Sequence, residues 1–424
     1  MTEPLSPAAA QPLSAGAPRK ALTPLDDALA ELLSHAAPLG ALESVSTFDA
    51  DGRVLAEDLR SALQVPPQDN SAMDGYAVRA ADIAAAGTVL PVAQRIAAGQ
   101  APQPLAAGTA ARIFTGAPIP PGADAVVMQE HCTALDGGAA VRIDRPAAAG
   151  TAIRRAGEDV ALGAVVLSRG TRLTPGALGM AASIGRAELT VARRPRVALF
   201  STGDELVMPG EVPPEAMPPG AIYHSTRFLL RALLQRAGCA VTDLGIVPDR
   251  FDATVEALRG AAASHDLVLT SGGVSVGEED HVKPAVQALG ELTLWQMAMK
   301  PGKPFAYGRV AGAHFIGLPG NPVSSFVTFL MMVRPFVLAL QGAARVAPQP
   351  MRLPAHFAWP KADPRREFLR VSRNDQGGLE LFAHQGSGVL TSVVWGDGLV
   401  DNPPSTPIAH GDLVRFLPFA ELLA

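Results

Sequence analysis

Cysteine, basic charge and long apolar runs are all scarce in this chain of 424 residues. The two cysteines, Cys132 and Cys239, lie far apart without metal-ligand spacing, which argues against a disulfide framework and is typical of a reducing compartment. The formal net charge of -5 excludes a global basic field, so an extended polyanion such as DNA is not an expected partner. Any anion must therefore be bound locally.

Targeting and cofactor signals are missing as well. Residues 326–340 fall short of the roughly 20 apolar residues of a membrane span, because Arg334 and Pro335 interrupt them. Residues 1–20 lack a secretory signal and have the composition of a disordered tail. No HxxxH, CxxC or Ser/His/Asp spacing supports a structural zinc or a serine nucleophile. We expect a soluble, cytoplasmic protein with neither membrane nor nucleic-acid partners.

The length and the 48% hydrophobic content predict three or four domains, at roughly 150 residues per domain. Thr23 as N-cap and Pro24 as first helical residue predict a helix at the start of the folded part. Short apolar runs separated by Gly and Pro predict a β-rich module over residues 65–159. Strands alternating with helices over residues 194–342 predict a parallel sheet with crossover helices, and a small all-β domain should follow from residue 345.

The same patterns predict individual elements. Helices are expected at residues 227–237, 252–263 and 322–340. Strands are expected at residues 89–96, 110–114, 125–129, 140–143, 196–200, 241–247, 267–270, 351–358, 368–371, 379–382 and 413–416.

Three loops suited to binding an anion lie within fewer than sixty residues, and the first spans residues 271–277. Its glycines let backbone N–H groups approach an oxyanion, while Ser271 and Ser275 add hydroxyl donors. It directly follows the predicted strand at residues 267–270, and open parallel sheets bind ligands beyond the carboxyl ends of their strands. We therefore expect phosphate there, and a plain glycine turn is the alternative.

The other two loops offer cations and a helix start. Lys300 and Lys303 flank a stiff Pro-Gly pair and could neutralise an anion jointly, with a solvated surface turn as the alternative. In the third loop Pro322 suits the first helical position and Asn321 the cap. The N–H groups of the next three residues should then point outward, although a well-capped helix alone would show the same pattern.

Carboxylates suited to Mg²⁺ follow several predicted strands. Glu205, Asp249 and Asp280 each lie at or just beyond a strand end, so they could converge on one rim of the sheet. For each of them alone, a helix cap or a solvated surface acid is the alternative. Asp74, in a turn of small polar residues, and Asp159 could also face a ligand, but such residues are often structural.

Together these segments resemble the molybdopterin molybdenumtransferase family, whose members complete molybdenum cofactor synthesis and include the C-terminal part of gephyrin. The resemblance covers about residues 21–420. Its most specific strings lie in one order along the chain, at residues 70–77, 115–118, 201–206, 271–277, 300–304 and 318–324.

The resemblance implies an α/β multidomain fold of four parts, and an elongated homodimer with a composite active site. In such a dimer the first two parts of one subunit lie over the α/β cleft of the other. A molybdopterin adenylyltransferase and recipient molybdoenzymes would be further partners. The implied parts are an extended segment (21–64 plus 160–193), an inserted β-rich domain (65–159), a molybdopterin-binding α/β domain (194–342) and a C-terminal β-barrel (345–424).

The implied activity is insertion of molybdate into adenylylated molybdopterin with Mg²⁺, which releases AMP and molybdenum cofactor. The implied catalytic residues are Asp74, Asp159, Asp249, Asp280 and Lys300, and the implied metal ligands are Asp249, Asp280 and Glu205. The implied ligand-binding residues are Thr115, Glu205, Ser271, Gly272, Gly273, Ser275, Gly277, Lys303, Pro319, Gly320, Pro322, Ser324, Arg370 and Ser387.

The sequence departs from the family pattern at three places. Gln296 stands where relatives often carry a base, residues 223–226 lack the usual Asp or Asn and final Asn, and Arg250 follows Asp249 where a second acid is frequent. Two other functions stay open. A receptor-anchoring scaffold would resemble gephyrin's related region, but the chain has no long linker. The second is another nucleotide-dependent phosphotransferase, but the chain lacks the Gly-x-x-x-x-Gly-Lys-Ser/Thr string that would bind a triphosphate.

Overall fold

The computed structural model describes residues 21–273 and 281–423, and the chain divides into two compact units. Unit 1 comprises Met1–Ala41 together with Ala192–Ala424, and unit 2 comprises Leu42–Val191. Each unit has its own clusters of buried apolar side chains.

Unit 1 begins with helix α1 (Leu25–Ser34), which buries one apolar face in the core of that unit. The predicted segment 21–64 is therefore divided, because residues 42–64 belong to unit 2. The predicted helix cap is wrong. Pro24 occupies the N-cap position without a side-chain hydrogen bond, and the Thr23 N–H donates instead to a backbone carbonyl of a later strand.

Unit 2 is mostly β-structure. Its elements are β1 (Leu42–Ser46), β2 (Leu59–Arg60), β3 (Asn70–Ser71), β4 (Gly75–Val78), β5 (Thr88–Ile96), β6 (Ala110–Ile113), β7 (Ala125–Met128), β8 (Cys132–Leu135), β9 (Ala140–Ile143), β10 (Ile153–Arg154), β11 (Val165–Leu167), helix α2 (Pro175–Ser183) and β12 (Glu188–Ala192). Six strands form one sheet in the order β7-β4-β6-β5-β9-β8, and three short pairs (β1–β12, β2–β11, β3–β10) lie outside it. The four strands predicted between residues 89 and 143 are confirmed as β5, β6, β7 and β9.

The central part of unit 1 is an α/β domain. Its elements are β13 (Arg196–Thr202), β14 (Leu206–Val207), β15 (Ile222–Tyr223), α3 (Ser225–Arg236), β16 (Ala240–Val247), α4 (Phe251–Ala262), β17 (Leu267–Ser271), α5 (Val282–Leu289), β18 (Gly290–Gln296), β19 (Met299–Lys300), β20 (Pro304–Val310), β21 (Ala313–Leu318), α6 (Pro322–Thr328) and α7 (Arg334–Leu340). The main sheet has the order β16-β13-β17-β21-β20-β18. The first four strands are parallel, as predicted, whereas β20 and β18 add an antiparallel edge that periodicity did not assign.

Both faces of this sheet are covered, which explains its nearly continuous apolar strands. Along β13, Val197 and Leu199 pack into one buried cluster, while Ala198 and Phe200 pack into another. Successive side chains of a strand point to opposite faces. Both faces are therefore buried, which leaves the ends of the strands as the places where a ligand can reach the sheet.

The long helix that follows β21 runs without a break from Pro322 to Leu340. A π-helical turn, Phe329–Val333, joins α6 to α7, in which Pro335 is the second residue. The helix predicted at residues 322–340 is therefore confirmed, and the wider turn accommodates Pro335, which cannot donate a backbone hydrogen bond. The helix is apolar and long enough to span a membrane, but 89% of its most apolar window is buried inside the protein, as in a core helix.

The last part of unit 1 is a small β-domain. Its elements are β22 (Met351–Pro354), β23 (Arg366–Arg373), β24 (Leu379–Leu381), α8 (Thr391–Trp395), β25 (Gly398–Asn402), β26 (Leu413–Pro418) and α9 (Phe419–Leu422). The strand order is β19-β23-β25-β26-β22, and β24 pairs with residues 371–373 of β23, beyond the residues paired with β19. An isolated bridge between Ala355 and Leu379 joins the chain after β22 to β24. The strands thus close on themselves around an apolar core, as expected of a barrel.

Candidate functional site

A cavity of about 590 Å³ lies at the carboxyl ends of three neighbouring parallel strands in unit 1. Thr202 ends β13, Ser271 ends β17, and Pro319 directly follows β21. We call this cavity the larger pocket. Its lining consists of Thr202, Glu205, Leu206, Ile222, Tyr223, His224, Ser225, Thr226, Ser271, Gly272, Gly273, Pro304, Pro319, Gly320, Asn321, Pro322, Ser324 and Gly388.

The glycine loop after β17 is where the sequence places it, but part of its hydrogen-bonding capacity is already used. The Ser271 hydroxyl lies 2.9 Å from the Ser201 hydroxyl, and the Gly272 N–H donates to the Leu318 carbonyl at 3.0 Å. Gly272 has φ +88°, and a Cβ there would lie 3.1 Å from the Thr202 carbonyl oxygen. Glycine is thus required by backbone conformation and by close approach to β13. Ser275, Gly277 and Asp280 lie outside the described residues.

The helix start at Pro322 differs from its prediction. The Val323 N–H donates to the Ser387 carbonyl at 3.0 Å, and the Ser325 N–H donates to the Asn321 carbonyl at 2.9 Å. Within the described part of the chain, only the Ser324 N–H of these three has no partner. The expectation of three outward-pointing donors is therefore wrong, because the C-terminal β-domain occupies one of them.

A second cavity, of about 330 Å³, continues from the first. We call it the smaller pocket. It shares Pro304, Asn321 and Ser324 with the larger pocket, so the two form one cleft. The loop between β19 and β20 lines one side and the C-terminal β-domain the other. The remaining lining residues are Lys300, Pro301, Gly302, Lys303, Arg365, Gln385, Gly386 and Ser387.

The two lysines of the smaller pocket have different surroundings. The Lys300 ammonium lies 3.2 Å from a Glu367 carboxylate oxygen and 3.3 Å from an Asp363 carboxylate oxygen. Lys303 is exposed and has no ion pair among the described residues. The prediction that both ammonium groups neutralise an anion jointly therefore conflicts with the geometry, because Lys300 already has two acidic partners.

Arg370 lines neither pocket but supports the smaller one from below. Its side chain is buried and donates to the Phe368 and Gly386 carbonyls, both at 3.1 Å, and to the Ser392 hydroxyl, also at 3.1 Å. Burial lowers the pKa of the Arg370 guanidinium to about 10. The bond to Gly386 fixes the loop that carries Ser387. The structure therefore gives Arg370 the geometry of a supporting residue, not of a direct ligand-binding residue.

Acidic groups are few in the larger pocket. Glu205 lines it, whereas Asp249 lines neither pocket. Across residues 21–273 and 281–423, no group of three His, Cys, Asp or Glu side chains is close enough to hold a metal ion. The described lining of the larger pocket thus offers an Mg²⁺ ion one carboxylate, that of Glu205, and Asp280 of the predicted set lies outside the described residues.

His224 is a lining residue that the sequence showed only as a departure from the family pattern. It is buried, and its Nε2 atom has no hydrogen-bond partner. Burial, together with the nearby Arg227, lowers the pKa of the imidazole, which is therefore neutral near pH 7. A buried polar atom without a partner is unfavourable. Its position at the wall of the larger pocket marks it as a candidate ligand contact.

Two predicted site residues of unit 2 lie together. The Asp74 carboxylate accepts hydrogen bonds from the Thr115 N–H and hydroxyl, both at 2.8 Å. These bonds, the backbone one first, lower the pKa of Asp74. Asp159 is exposed, and its N–H donates to the Val65 carbonyl at 3.0 Å. Asp74 is therefore an ionised carboxylate that is hydrogen-bonded to Thr115.

Of the predicted residues of unit 1, most line the cleft. Sequence reasoning missed Arg365 and Gln385 in the smaller pocket and did not single out Thr202 or residues 223–226 as lining. Gln385 lies in the same string as the predicted Ser387, so that string was a usable signal. Arg365, between Pro364 and Arg366, belongs to no string that indicated a site.

Comparisons with known proteins cover most of the chain. Residues 23–185 match the family described as the MoeA N-terminal region (domain I and II), residues 198–339 match the probable molybdopterin binding domain, and residues 352–419 match the MoeA C-terminal region (domain IV). These three matches follow the order of the parts expected from the sequence.

Relatives and a solved structure agree with these matches. The molybdopterin molybdenumtransferase of Haemophilus influenzae is 38% identical over 410 residues, covering 94% of this chain and 99% of the relative. Molybdopterin molybdenumtransferase 2 of Mycobacterium tuberculosis is 39% identical over 397 residues, covering 88% and 93%. The crystal structure of the molybdopterin biosynthesis moeA protein from Pyrococcus horikoshii OT3 matches with a TM-score of 0.81 at 30% identity, covering 94% of this chain and 100% of that one. The resemblance found in the sequence is thereby confirmed, and the chain belongs to the molybdopterin molybdenumtransferase family, a family of transferases.

Proposed function

We propose that this chain transfers molybdenum from molybdate to adenylylated molybdopterin, cleaving the pyrophosphate link and releasing AMP and molybdenum cofactor. One observation carries the proposal. A nearly uncharged pocket at the strand ends continues into a smaller pocket that contains cations. The names of the relatives support the reaction type.

The larger pocket would hold the pterin and its phosphates. Its volume of about 590 Å³ suits a small organic ligand. Hydroxyl groups of Thr202, Ser225 and Thr226 line it together with the glycine loop after β17, and such groups bind phosphate oxygens without a large net charge. The ligand would thus be positioned mainly by neutral donors.

The smaller pocket would hold molybdate. Lys303 and Ser387 line a volume of about 330 Å³ that has room for a tetrahedral dianion, whereas the Gln385 amide N–H groups already donate to the Arg370 and Phe382 carbonyls. Fixed cations and amides stabilise negative charge without reorganising during the reaction. The protein would then supply positioning and electrostatic stabilisation, while the dithiolene sulfurs that receive molybdenum belong to the pterin. Neither Cys132 nor Cys239 lines the described cleft.

Mg²⁺ is part of the proposal as a partner of the phosphates. This ion prefers one or two carboxylates together with phosphate oxygens and water. Glu205 is the described carboxylate that could bind it, and Asp249 and Asp280 stay predictions. When bound, Mg²⁺ would neutralise phosphate charge and polarise the bond that is cleaved.

We further propose a homodimer with a composite active site in the cytosol. Asp74, Thr115 and Asp159 belong to unit 2 and would act on a ligand bound in the cleft of the partner's unit 1. The reaction would follow a molybdopterin adenylyltransferase and would precede transfer of the cofactor to recipient molybdoenzymes.

The test of the reaction is a reconstitution with adenylylated molybdopterin, molybdate and Mg²⁺, in which AMP release is measured. We expect release that depends on molybdate. Asp280→Ala should lower the rate by about 100-fold or more, because a metal-binding carboxylate would be lost. A fully active Asp280→Ala enzyme would remove the metal assignment and leave the transferase reaction standing. Absence of AMP release with the wild type would refute the proposed reaction.

The composite site has a separate test by mixing two inactive variants. Asp74→Asn would disable the contribution of unit 2, and Asp280→Ala that of unit 1. If the site combines two subunits, refolding both variants together should restore about a quarter of the wild-type rate, because half of the dimers are mixed and each has one intact site of two. If each subunit is self-sufficient, the mixture stays inactive.

A further inference from the structure

Glu367 is a fully buried carboxylate beneath the smaller pocket. One of its oxygens accepts hydrogen bonds from the Trp359 indole N–H at 2.8 Å and from the Asp363 N–H at 3.1 Å. The other accepts from the Lys300 ammonium at 3.2 Å. A buried carboxylate needs a counter-charge, and Lys300 is its ion-pair partner among the described residues.

The strand register explains why these two side chains meet. β19 pairs in parallel with β23, and Lys300 is the register partner of Glu367. Side chains opposite each other on neighbouring strands lie within contact distance. The interaction is thus built into the junction between the α/β domain and the C-terminal β-domain, and it is not a chance surface contact.

A second ion pair completes the cluster. Asp363 lies 3.3 Å from Lys300 and accepts two hydrogen bonds from the Arg365 guanidinium, both at 2.8 Å. Two acids therefore face two cations, and the four groups have no net charge. Lys303, three residues beyond Lys300, has no such partner within the described ranges. The uncompensated positive charge of the smaller pocket is that of Lys303.

We propose that Glu367 is a positioning residue that holds Lys300 away from direct contact with the bound anion and so sets the net charge of the smaller pocket to that of Lys303. This inference rests on the proposed function to the extent that the occupant is a tetrahedral dianion. Turning the Lys300 ammonium toward the anion would leave Glu367 buried without its counter-charge, which is strongly unfavourable. Lys300 thus shapes the loop, and Lys303 binds the anion.

A charge cycle tests the pair, with molybdate binding to the purified full-length chain measured by equilibrium dialysis. Lys300→Met should weaken binding about threefold to tenfold, because a buried negative charge is left beside the pocket. Glu367→Gln should tighten binding by a similar factor, because the charge of Lys300 is released. The double variant should bind within about twofold of the wild type, because the net charge is restored. A double variant as weak as Lys300→Met would show direct binding by Lys300 and overturn the proposal.

A second measurement does not depend on whether the Glu367 variants fold. If Lys303 supplies the only net charge, Lys303→Gln should remove nearly all of the salt dependence of molybdate binding. Substantial salt dependence left in Lys303→Gln would contradict the proposal. Asp397→Asn is the matched control for Glu367→Gln, because it also replaces a carboxylate by an amide in the C-terminal β-domain. Asp397 accepts hydrogen bonds from Ser372 and Arg373 and lines neither pocket. It should leave molybdate binding unchanged.

Sulfate separates this inference from the proposed function, because it is a tetrahedral dianion without molybdenum chemistry. A wild-type protein that binds both dianions and shows the charge cycle, but releases no AMP, would support the role of Glu367 and refute the transferase reaction. A protein that binds neither dianion would overturn both.

Discussion

The two pockets of the cleft share lining residues but differ in charge. The larger pocket has one acidic side chain, Glu205, and a neutral imidazole, His224, among hydroxyls, glycines and prolines. The smaller pocket has Lys300, Lys303 and Arg365. A neutral pocket positions a ligand through shape and directed hydrogen bonds, whereas a cationic pocket selects for charge. In the proposed function, the cleft would therefore separate positioning of the organic ligand from binding of the anion.

The pockets also differ in how the chain builds them. The larger pocket follows from sheet topology, because three adjacent parallel strands end at one edge. The smaller pocket needs residues 300–304 and residues 385–387 to meet, although they are far apart in sequence. Its geometry should therefore depend more strongly on buried supporting contacts, and substitutions can test that difference.

The largest effect is expected for the buried support of the smaller pocket. Arg370→Met would leave the carbonyls of Phe368 and Gly386 without donors, and unpaired buried acceptors are costly. We expect a loss of about 3–5 kcal/mol in the free energy of unfolding of unit 1. Molybdate binding should fall with it, because the loop that carries Ser387 loses its anchor. Urea unfolding and equilibrium dialysis would measure the two effects.

Arg373→Met is the matched control for that change, because Arg373 lies on the same strand and its side chain is 63% exposed. It should change stability by less than about 0.5 kcal/mol, as is usual for exposed positions. Equal effects of the two substitutions would show that the smaller pocket does not depend on buried support.

The next largest effect is expected at the glycine loop of the larger pocket. Gly272→Ala would force alanine to adopt φ +88° and place its Cβ 3.1 Å from the Thr202 carbonyl oxygen. We expect about 2 kcal/mol of destabilisation and about a tenfold rise in the KM for the adenylylated pterin. Steady-state kinetics at saturating molybdate would measure the change.

Gly312→Ala separates backbone strain from close approach. Gly312 has φ +93°, but a Cβ there would have no neighbour within 4 Å. It should cost about 1 kcal/mol of stability through conformation alone and leave the KM unchanged. An equal KM effect for both alanines would mean that the contact with β13 does not shape the larger pocket.

The difference in how the two pockets are built also explains how much of the cleft could be predicted from the sequence. Ser271, Gly272 and Pro319 were predictable, because apolar runs define strands and parallel strands end on one side of a sheet. Arg365 was not, because no local pattern indicates which loop of a second domain will cover the first. The sequence therefore predicts best what topology alone determines.

The errors have physical reasons of the same kind. The sequence predicted that Lys300 is free to bind an anion, because its partner Glu367 lies 67 residues away along the chain. Thr23 has good capping chemistry, but its backbone is used by a bridge to Met297. In each case a long-range or backbone interaction prevailed over a local preference.

A smaller effect is expected when charge is removed from the smaller pocket without loss of packing. Lys303→Gln should raise the KM for molybdate about tenfold with little change in kcat, since one charge-assisted hydrogen bond to the anion is lost. The KM for the pterin should stay the same, because Lys303 does not line the larger pocket. Lys361→Gln, an exposed lysine of the C-terminal domain, is the control. Equal rises in both KM values would contradict separate roles for the pockets.

The smallest effect concerns the neutrality of the larger pocket and is a pH dependence. The pKa of His224 in the folded chain lies below its usual value of 6.5, mainly through burial. Below about pH 6.5 the unfolded chain therefore binds this proton more readily than the folded chain does. The contribution of His224 to stability is present above that pH and is lost as the pH falls toward the folded pKa.

His224→Asn should flatten this decline, as measured by urea midpoints between about pH 5 and pH 8. The buried His314 has a pKa lowered to about 4 and contributes a parallel decline in both proteins, so it cancels in the difference. Parallel curves for wild type and variant would mean that the imidazole is not held neutral, and the contrast in charge between the two pockets would then be smaller than the geometry indicates.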